Sequence, residues 1–105
     1  MSMAKSKSND PLQVAANVYT LVMENEKVRV LDLRLGKGAK AAMHYHPDHV
    51  VYVLADGKVK ITTPDGKGMD IDLKVGQAIW MAAVQHSAEN VGKTETHSLV
   101  VELKK

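Results

Sequence analysis

The chain contains no cysteine and no phenylalanine, and only one tryptophan, three tyrosines and three prolines in 105 residues. Without cysteine neither a disulfide nor a thiolate metal site can form, which is compatible with the cytoplasmic location expected here. Without phenylalanine the core must be aliphatic, and Met23, Met43, Met69 and Met81 read as core fillers in its place. Neither sign of charge dominates: the formal net charge is +2, and the lysines are spread along the chain. No basic stripe or aromatic platform for nucleic acid is therefore visible. Apolar runs last only a few residues, far short of the ~20 that span a bilayer. The opening MSMAKSKSND is polar with no apolar segment behind it, so neither a signal peptide nor a membrane anchor is expected.

What is present fits one globular domain, with 45% apolar and 25% charged residues. Residues 1–10 read as a disordered N-terminal arm, because nothing in them can be buried. Residues 11–105 read as the folded domain, with Pro11 to Asn17 as an irregular lead-in or a short helical turn. From Val18 onward the pattern is strand after strand. KVRVLDLRL places Leu31, Leu33 and Leu35 on one face and Asp32 and Arg34 on the other. KVKITT sets Val59 and Ile61 together, and MDIDLK sets Met69, Ile71 and Leu73 together. Turn residues stand at nearly every junction: Gly36 to Gly38, Pro47-Asp48, Asp56-Gly57 read as a hairpin, and Pro64 to Gly66. About eight or nine short strands without a helical period predict an all-β fold, a small antiparallel β-barrel or jelly roll that closes its sheet edges.

Three of the five histidines fall within GAKAAMHYHPDHVVYVLADG, residues 38–57. His44 and His46 lie two apart on a strand, so both imidazoles point to one face and can converge inside a barrel. The competing reading is a polar pair on a solvent face, and the apolar AAM before and VVYVL after argue against it. A metal needs a further ligand from another strand, and His86, after the apolar IWMAAV, is the obvious donor. His49 stands beside the Pro47-Asp48 bend, where a surface loop position competes with a ligand role; Asp48 reads as a turn residue. His97 shares strand parity with Leu99, Val101 and Leu103, so an interior position or a half-buried place at the barrel rim is expected. Tyr45, Tyr52 and Trp80 read as packing residues, with Tyr52 facing either the pocket or a partner.

At these residues the sequence resembles the cupin family, whose two motifs each form a hairpin of a small β-barrel. Gly38, five residues, His44-Tyr45-His46 and Gly57 fit the first motif; Gly76, His86 and Asn90 fit the second. The segment between Gly76 and His86 is one residue short of the common form, and Ala82 and Val84 replace a proline and a glycine. The first motif also lacks its glutamate. Counting back from Gly57 puts Val50 there, while matching the VVYVL run puts His49 there, depending on where a bulge near Ala55-Asp56 absorbs an extra residue. The resemblance implies a cupin-like double-stranded β-helix holding one divalent transition metal (Fe, Ni, Zn, Co, Cu or Mn) on His44, His46 and His86, with His49 as a possible fourth member. All-nitrogen ligation disfavours Mn, and it leaves the metal's full charge to attract an anionic substrate.

No other catalytic signature is found in the chain, neither a Gly-x-Ser-x-Gly elbow, a phosphate loop nor a paired-carboxylate arrangement. The first functional expectation is a metal-dependent enzyme, dioxygenase-like or otherwise metal-assisted, acting on a small anionic or phenolic compound. The alternative is a non-catalytic module that binds a metal or small ligand in the same pocket. A structural dimer with a vestigial site is a third. Small cupins are commonly homodimers, so the resemblance implies a homodimer, to which a segment such as VYTLVMEN could contribute.

Overall fold

The computed structural model describes residues 9–104. Most of the expected arm, residues 1–8, lies outside the described residues. Asn9 and Asp10 are anchored to the domain: Tyr45 N donates to the Asn9 carbonyl at 2.9 Å, and both Asp10 carboxylate oxygens accept from Arg29. Asp10 also caps a one-turn helix, α1 (Pro11–Val14), by accepting from Leu12 N at 2.9 Å. Proline at the first helical position needs no N–H partner, so with the Asp10 cap it starts this single turn.

Nine strands follow: β1 (Tyr19–Glu24), β2 (Val28–Leu35), β3 (Lys40–His46), β4 (His49–Ala55), β5 (Gly57–Thr62), β6 (Gly68–Leu73), β7 (Ala78–Met81), β8 (Val84–Asn90) and β9 (Thr96–Leu103). They form two antiparallel sheets in the orders β1-β2-β9-β4-β7 and β3-β8-β5-β6. The sheets face each other as a double-stranded β-helix, the all-β jelly roll expected from the strand pattern. No helix among the described residues is long and apolar enough to cross a membrane.

The alternation of β2 and β5 holds. Leu31 and Leu35 are fully buried, and Leu33, Val59 and Ile61 line the interior. Elsewhere the sheets differ from the sequence reading. Asp56-Gly57 is not a hairpin turn, because β4 and β5 belong to different sheets and the chain crosses between them there. Gly57 is needed for close approach: a Cβ on it would meet Thr96 Cγ2 at 2.6 Å. Gly38 has φ +75 in the turn into β3, the left-handed region that glycine enters without strain.

Strand β9 reverses the expected parity. Thr96, Ser98, Val100 and Glu102 face the interior, while His97, Leu99, Val101 and Leu103 face away from it. Periodicity favours the set with three aliphatic residues, but that set lies on the outer face of the sheet and the more polar set turns towards the cavity. His97 is half-buried and lies 2.6 Å from Asp32 on the neighbouring strand. Met69, expected in the core, is 65% exposed at the start of the edge strand β6, and Met23 is also exposed near the end of edge strand β1. Edge strands leave the residues at their tips without a covering neighbour.

Candidate metal centre

Strands β3 and β8 pair so that His44 stands directly opposite His86. A β-bulge between Ala41 and His44 adds one residue to β3. It puts Ala41, His44 and His46 all on the inner face, where strict alternation would have split Ala41 from the histidines. One candidate ligand atom from each of His44, His46 and His86 lies within 4.8 Å of the others, and all three residues are buried. Among the described residues this is the one group of three or more candidate ligands so placed.

His49 opens β4 and is also buried; its ring centroid lies 4.6 Å from that of His46. It faces the interior together with Val51, whereas Val50 pairs outward between Trp80 and Val101. The extra residue of the first motif is absorbed at Leu54, where a bulge lies between Val53 and Ala55, one residue before the expected place. Asp48 holds the altered turn: its carboxylate accepts from Ala83 N at 2.8 Å, fastening the β7–β8 connection to the β3–β4 bend.

The imidazoles are oriented by partners on their Nδ1 side. His44 Nδ1–H donates to the Ala42 carbonyl at 2.6 Å, and His49 Nδ1–H to the Pro47 carbonyl at 2.7 Å. His46 Nδ1–H donates to Glu102 Oε2 at 2.6 Å. Each of these rings therefore presents its Nε2 lone pair as an acceptor for a proton or a cation. Glu102 is buried on β9 and is itself held by Arg29 at 3.0 Å, which in turn is clamped by Asp10. The result is a carboxylate–histidine pair of the kind that fixes a metal-ligating ring.

The cluster is electrically neutral. Burial, then the neighbouring His44 and His49, push the His46 pKa down to about 2. Burial, then His44 and His46, push His86 down to about 3. Burial likewise lowers His44 and His49, and it raises the Glu102 carboxyl against the opposing pull of Arg29. All four rings are thus already in the deprotonated form that binds metal.

Two residues of the site escaped the sequence reading. Glu102 is the lone acid in SLVVEL, and an acid inside an apolar strand must find a partner, which was the available signal. Tyr19, buried at the start of β1, places its hydroxyl 3.2 Å from Nε2 of both His44 and His46. Nothing in the local sequence marks it, because the contact spans 25 residues.

Beside the rings a cavity of about 60 Å³ opens between the sheets, room for a handful of waters or part of a small molecule. Its wall is aliphatic from Leu33, Leu35, Val59, Ile61, Ile71, Leu73 and Val100, and its polar groups are His46, His49 and His86 with Tyr19, Thr96 and Ser98. The donor set fits a borderline divalent transition metal: neutral nitrogens on rigid strands, with a buried carboxylate behind one of them. Asn90 of the second motif serves the scaffold. Its side chain donates to the Leu35 and Thr94 carbonyls and accepts from Gly92 N, fastening the turn between β8 and β9.

Comparison with known proteins agrees with this architecture. Among curated proteins no sequence matches. Among solved structures, a cupin domain from Bordetella pertussis is similar at 28% identity and TM-score 0.77, covering 84% of this chain and 93% of that one. A cupin-family protein from Methanocaldococcus jannaschii, with a double-stranded β-helix fold, shares the fold at 18% identity and TM-score 0.65, covering 83% and 79%. A conserved protein of unknown function from Streptococcus pyogenes shares it at 24% identity and TM-score 0.61, covering 84% and 74%. The family model for the cupin domain matches residues 31–102, well over half of the chain and inclusive of every histidine of the cluster. This chain belongs to the cupin family.

Proposed function

We propose that the protein is a mononuclear metalloenzyme of the cytoplasm, dioxygenase-like or otherwise metal-assisted, in which His44, His46 and His86 hold one divalent transition metal and His49 supplies a further imidazole. The observation that carries this reading is the convergence of buried, neutral rings from two paired strands of one sheet beside an apolar cavity. When bound, the metal would supply Lewis acidity and open positions for substrate oxygens. The chain's own residues do the rest. The Ala42 and Pro47 carbonyls and Glu102 hold three rings in one tautomer, and the aliphatic wall excludes water around the substrate body.

Among the described residues, no lysine, arginine, aspartate or glutamate lines the cavity. A substrate anion would therefore have the metal as its cationic partner, and the body behind it would be apolar. A small carboxylic acid or phenol matches that division. The lack of a proton-carrying side chain beyond imidazole and the Tyr19 phenol favours a second reading, a non-catalytic module that holds a metal or small ligand in this pocket.

Elemental analysis of purified protein, paired with His44→Ala, tests the proposal. The expected result is near-stoichiometric transition metal in the wild type and at least a hundredfold weaker binding in the variant, since one of three ligands is gone. A redox-active metal favours the enzyme, and a metal-free protein carrying an organic ligand favours the module. Equal metal content in both proteins would remove His44 from the site.

The partner we propose is a second copy of this chain. On the outer face of the five-stranded sheet, Trp80, Val50, Val101, Val30 and Met23 stand in one cross-strand row, all apolar. Tyr52, Leu99 and Leu103 extend the patch, and Trp80 is 58% exposed. A flat apolar sheet face of this kind is self-complementary about a two-fold axis. Light scattering after gel filtration should give twice the 11.5 kDa chain mass, and Trp80→Lys should shift the population to monomer. A wild-type monomer at micromolar concentration would dismiss the dimer.

A further inference from the structure

The geometry points to Tyr19 as an additional ligand of the metal centre, its phenol oxygen entering the same coordination shell as His44 and His46. This inference rests on the histidine site proposed above and extends it with an oxygen donor from β1, a strand outside both histidine motifs.

The distances fit one shared ion. Two atoms bound at ~2.0–2.2 Å to one metal lie about 2.9 Å apart at a right angle and about 3.4 Å apart at the tetrahedral angle. Tyr19 Oη stands 3.2 Å from His44 Nε2 and 3.2 Å from His46 Nε2, inside that interval on both sides. Both contacts are hydrogen-bond distances as well, and one oxygen set alike against two candidate donor atoms is where a shared cation would require it.

Protons are too few for these three atoms. The His44 and His46 rings donate their Nδ1–H groups to the Ala42 carbonyl and to Glu102, so both Nε2 atoms present lone pairs to the phenol. A phenol has one proton and can satisfy one of them. The other contact sets a nitrogen lone pair against an oxygen lone pair in a site where Tyr19 is only 4% exposed. A cation among the three atoms turns that surplus of lone pairs into bonds. On ligation the phenol proton leaves to solvent and an oxygen lone pair goes to the metal.

The phenol is also rigidly held. Tyr19 is held by pairing with Leu33 of β2, and its N–H donates to the Ala15 carbonyl at 3.1 Å. Its ring packs edge-on to His44 with centroids 5.2 Å apart. The hydroxyl is therefore presented to the two nitrogens by a fixed backbone, as a preorganised donor requires.

Copper(II) is a suitable probe because imidazole sites bind it most strongly among the divalent first-row metals. The copper(II)-loaded full chain should show a visible phenolate-to-metal charge-transfer band and resonance-enhanced tyrosinate vibrations. Tyr19→Phe should lose both at unchanged copper stoichiometry and bind copper at least tenfold more weakly in chelator competition. Tyr45→Phe/Tyr52→Phe, which leaves Tyr19 as the sole tyrosine, should keep both and decides the matter even if Tyr19→Phe does not fold. Stoichiometric copper without the band in the wild type, or a band that persists in Tyr19→Phe, overturns the inference and leaves the histidine site standing. A wild type that binds no copper overturns the histidine site and this inference together.

Discussion

Glu102→Ala is expected to destabilise the protein by roughly 3–5 kcal/mol, among the largest effects of any single substitution outside the aliphatic core. Glu102 is 3% exposed and accepts from His46 Nδ1 on one oxygen and from Arg29 on the other. Truncation leaves the largely buried Arg29 with Asp10 as its remaining anionic partner and leaves the His46 Nδ1–H with none. The cost comes from those orphaned groups more than from the loss of the pair's own attraction. Glu102→Gln keeps one acceptor but removes the charge opposite Arg29, and should cost roughly 1–2 kcal/mol. Urea unfolding measures both, provided the slope with denaturant is unchanged. The glutamine variant should also bind metal about 10–100-fold more weakly, because the His46 ring loses its anionic anchor. If Glu102→Ala unfolds at the wild-type urea midpoint, the buried charge network is not what secures β9 to β3.

Acidification from pH 7 to 5 is expected to destabilise the chelator-treated protein by roughly 3 kcal/mol, through His46 and His86 together. The sign follows from the direction of the shifts. Both rings are held far below their ordinary value, to about 2 and about 3, chiefly by burial. Between those values and an unfolded pKa near 6.5, the unfolded chain binds protons that the folded chain refuses. Stability therefore falls as pH drops through that window, by roughly 1.5 kcal/mol per ring between pH 6.5 and 5. His44 and His49 are lowered too and act in the same direction. Glu102 acts oppositely: its raised pKa gives a contribution present below its unfolded value and lost as pH rises through the folded one. One group against four does not reverse the trend. Urea midpoints that stay level or rise between pH 7 and 5 would show that the rings are not buried as neutral bases.

Much of the site was legible because its signals are local. His44 and His46 share a strand face by spacing alone, and the second motif carries His86 and Asn90 at a fixed separation. The aliphatic core followed from the lack of phenylalanine, and the alternation of β2 and β5 gave the right inward faces. Where alternation failed, a bulge or tertiary packing was responsible. The extra residue at Leu54 changes the phase of β4, and a one-residue slip moves every later side chain to the other face. In THSLVVEL the more aliphatic face turns outward, so packing against the cavity and not alternation decided that Glu102 would turn inward beside His46.

The amino-acid order alone determined an all-β chain, turns at most of its junctions, and a histidine pair able to converge. These properties depend on neighbours one to a few residues apart. Tertiary structure alone decided that His49 faces the cavity and Val50 does not, that Glu102 anchors His46, and that Tyr19 reaches two rings at once. Those contacts join residues far apart in the chain, and their geometry depends on how two sheets close over each other. No local spacing encodes that closure.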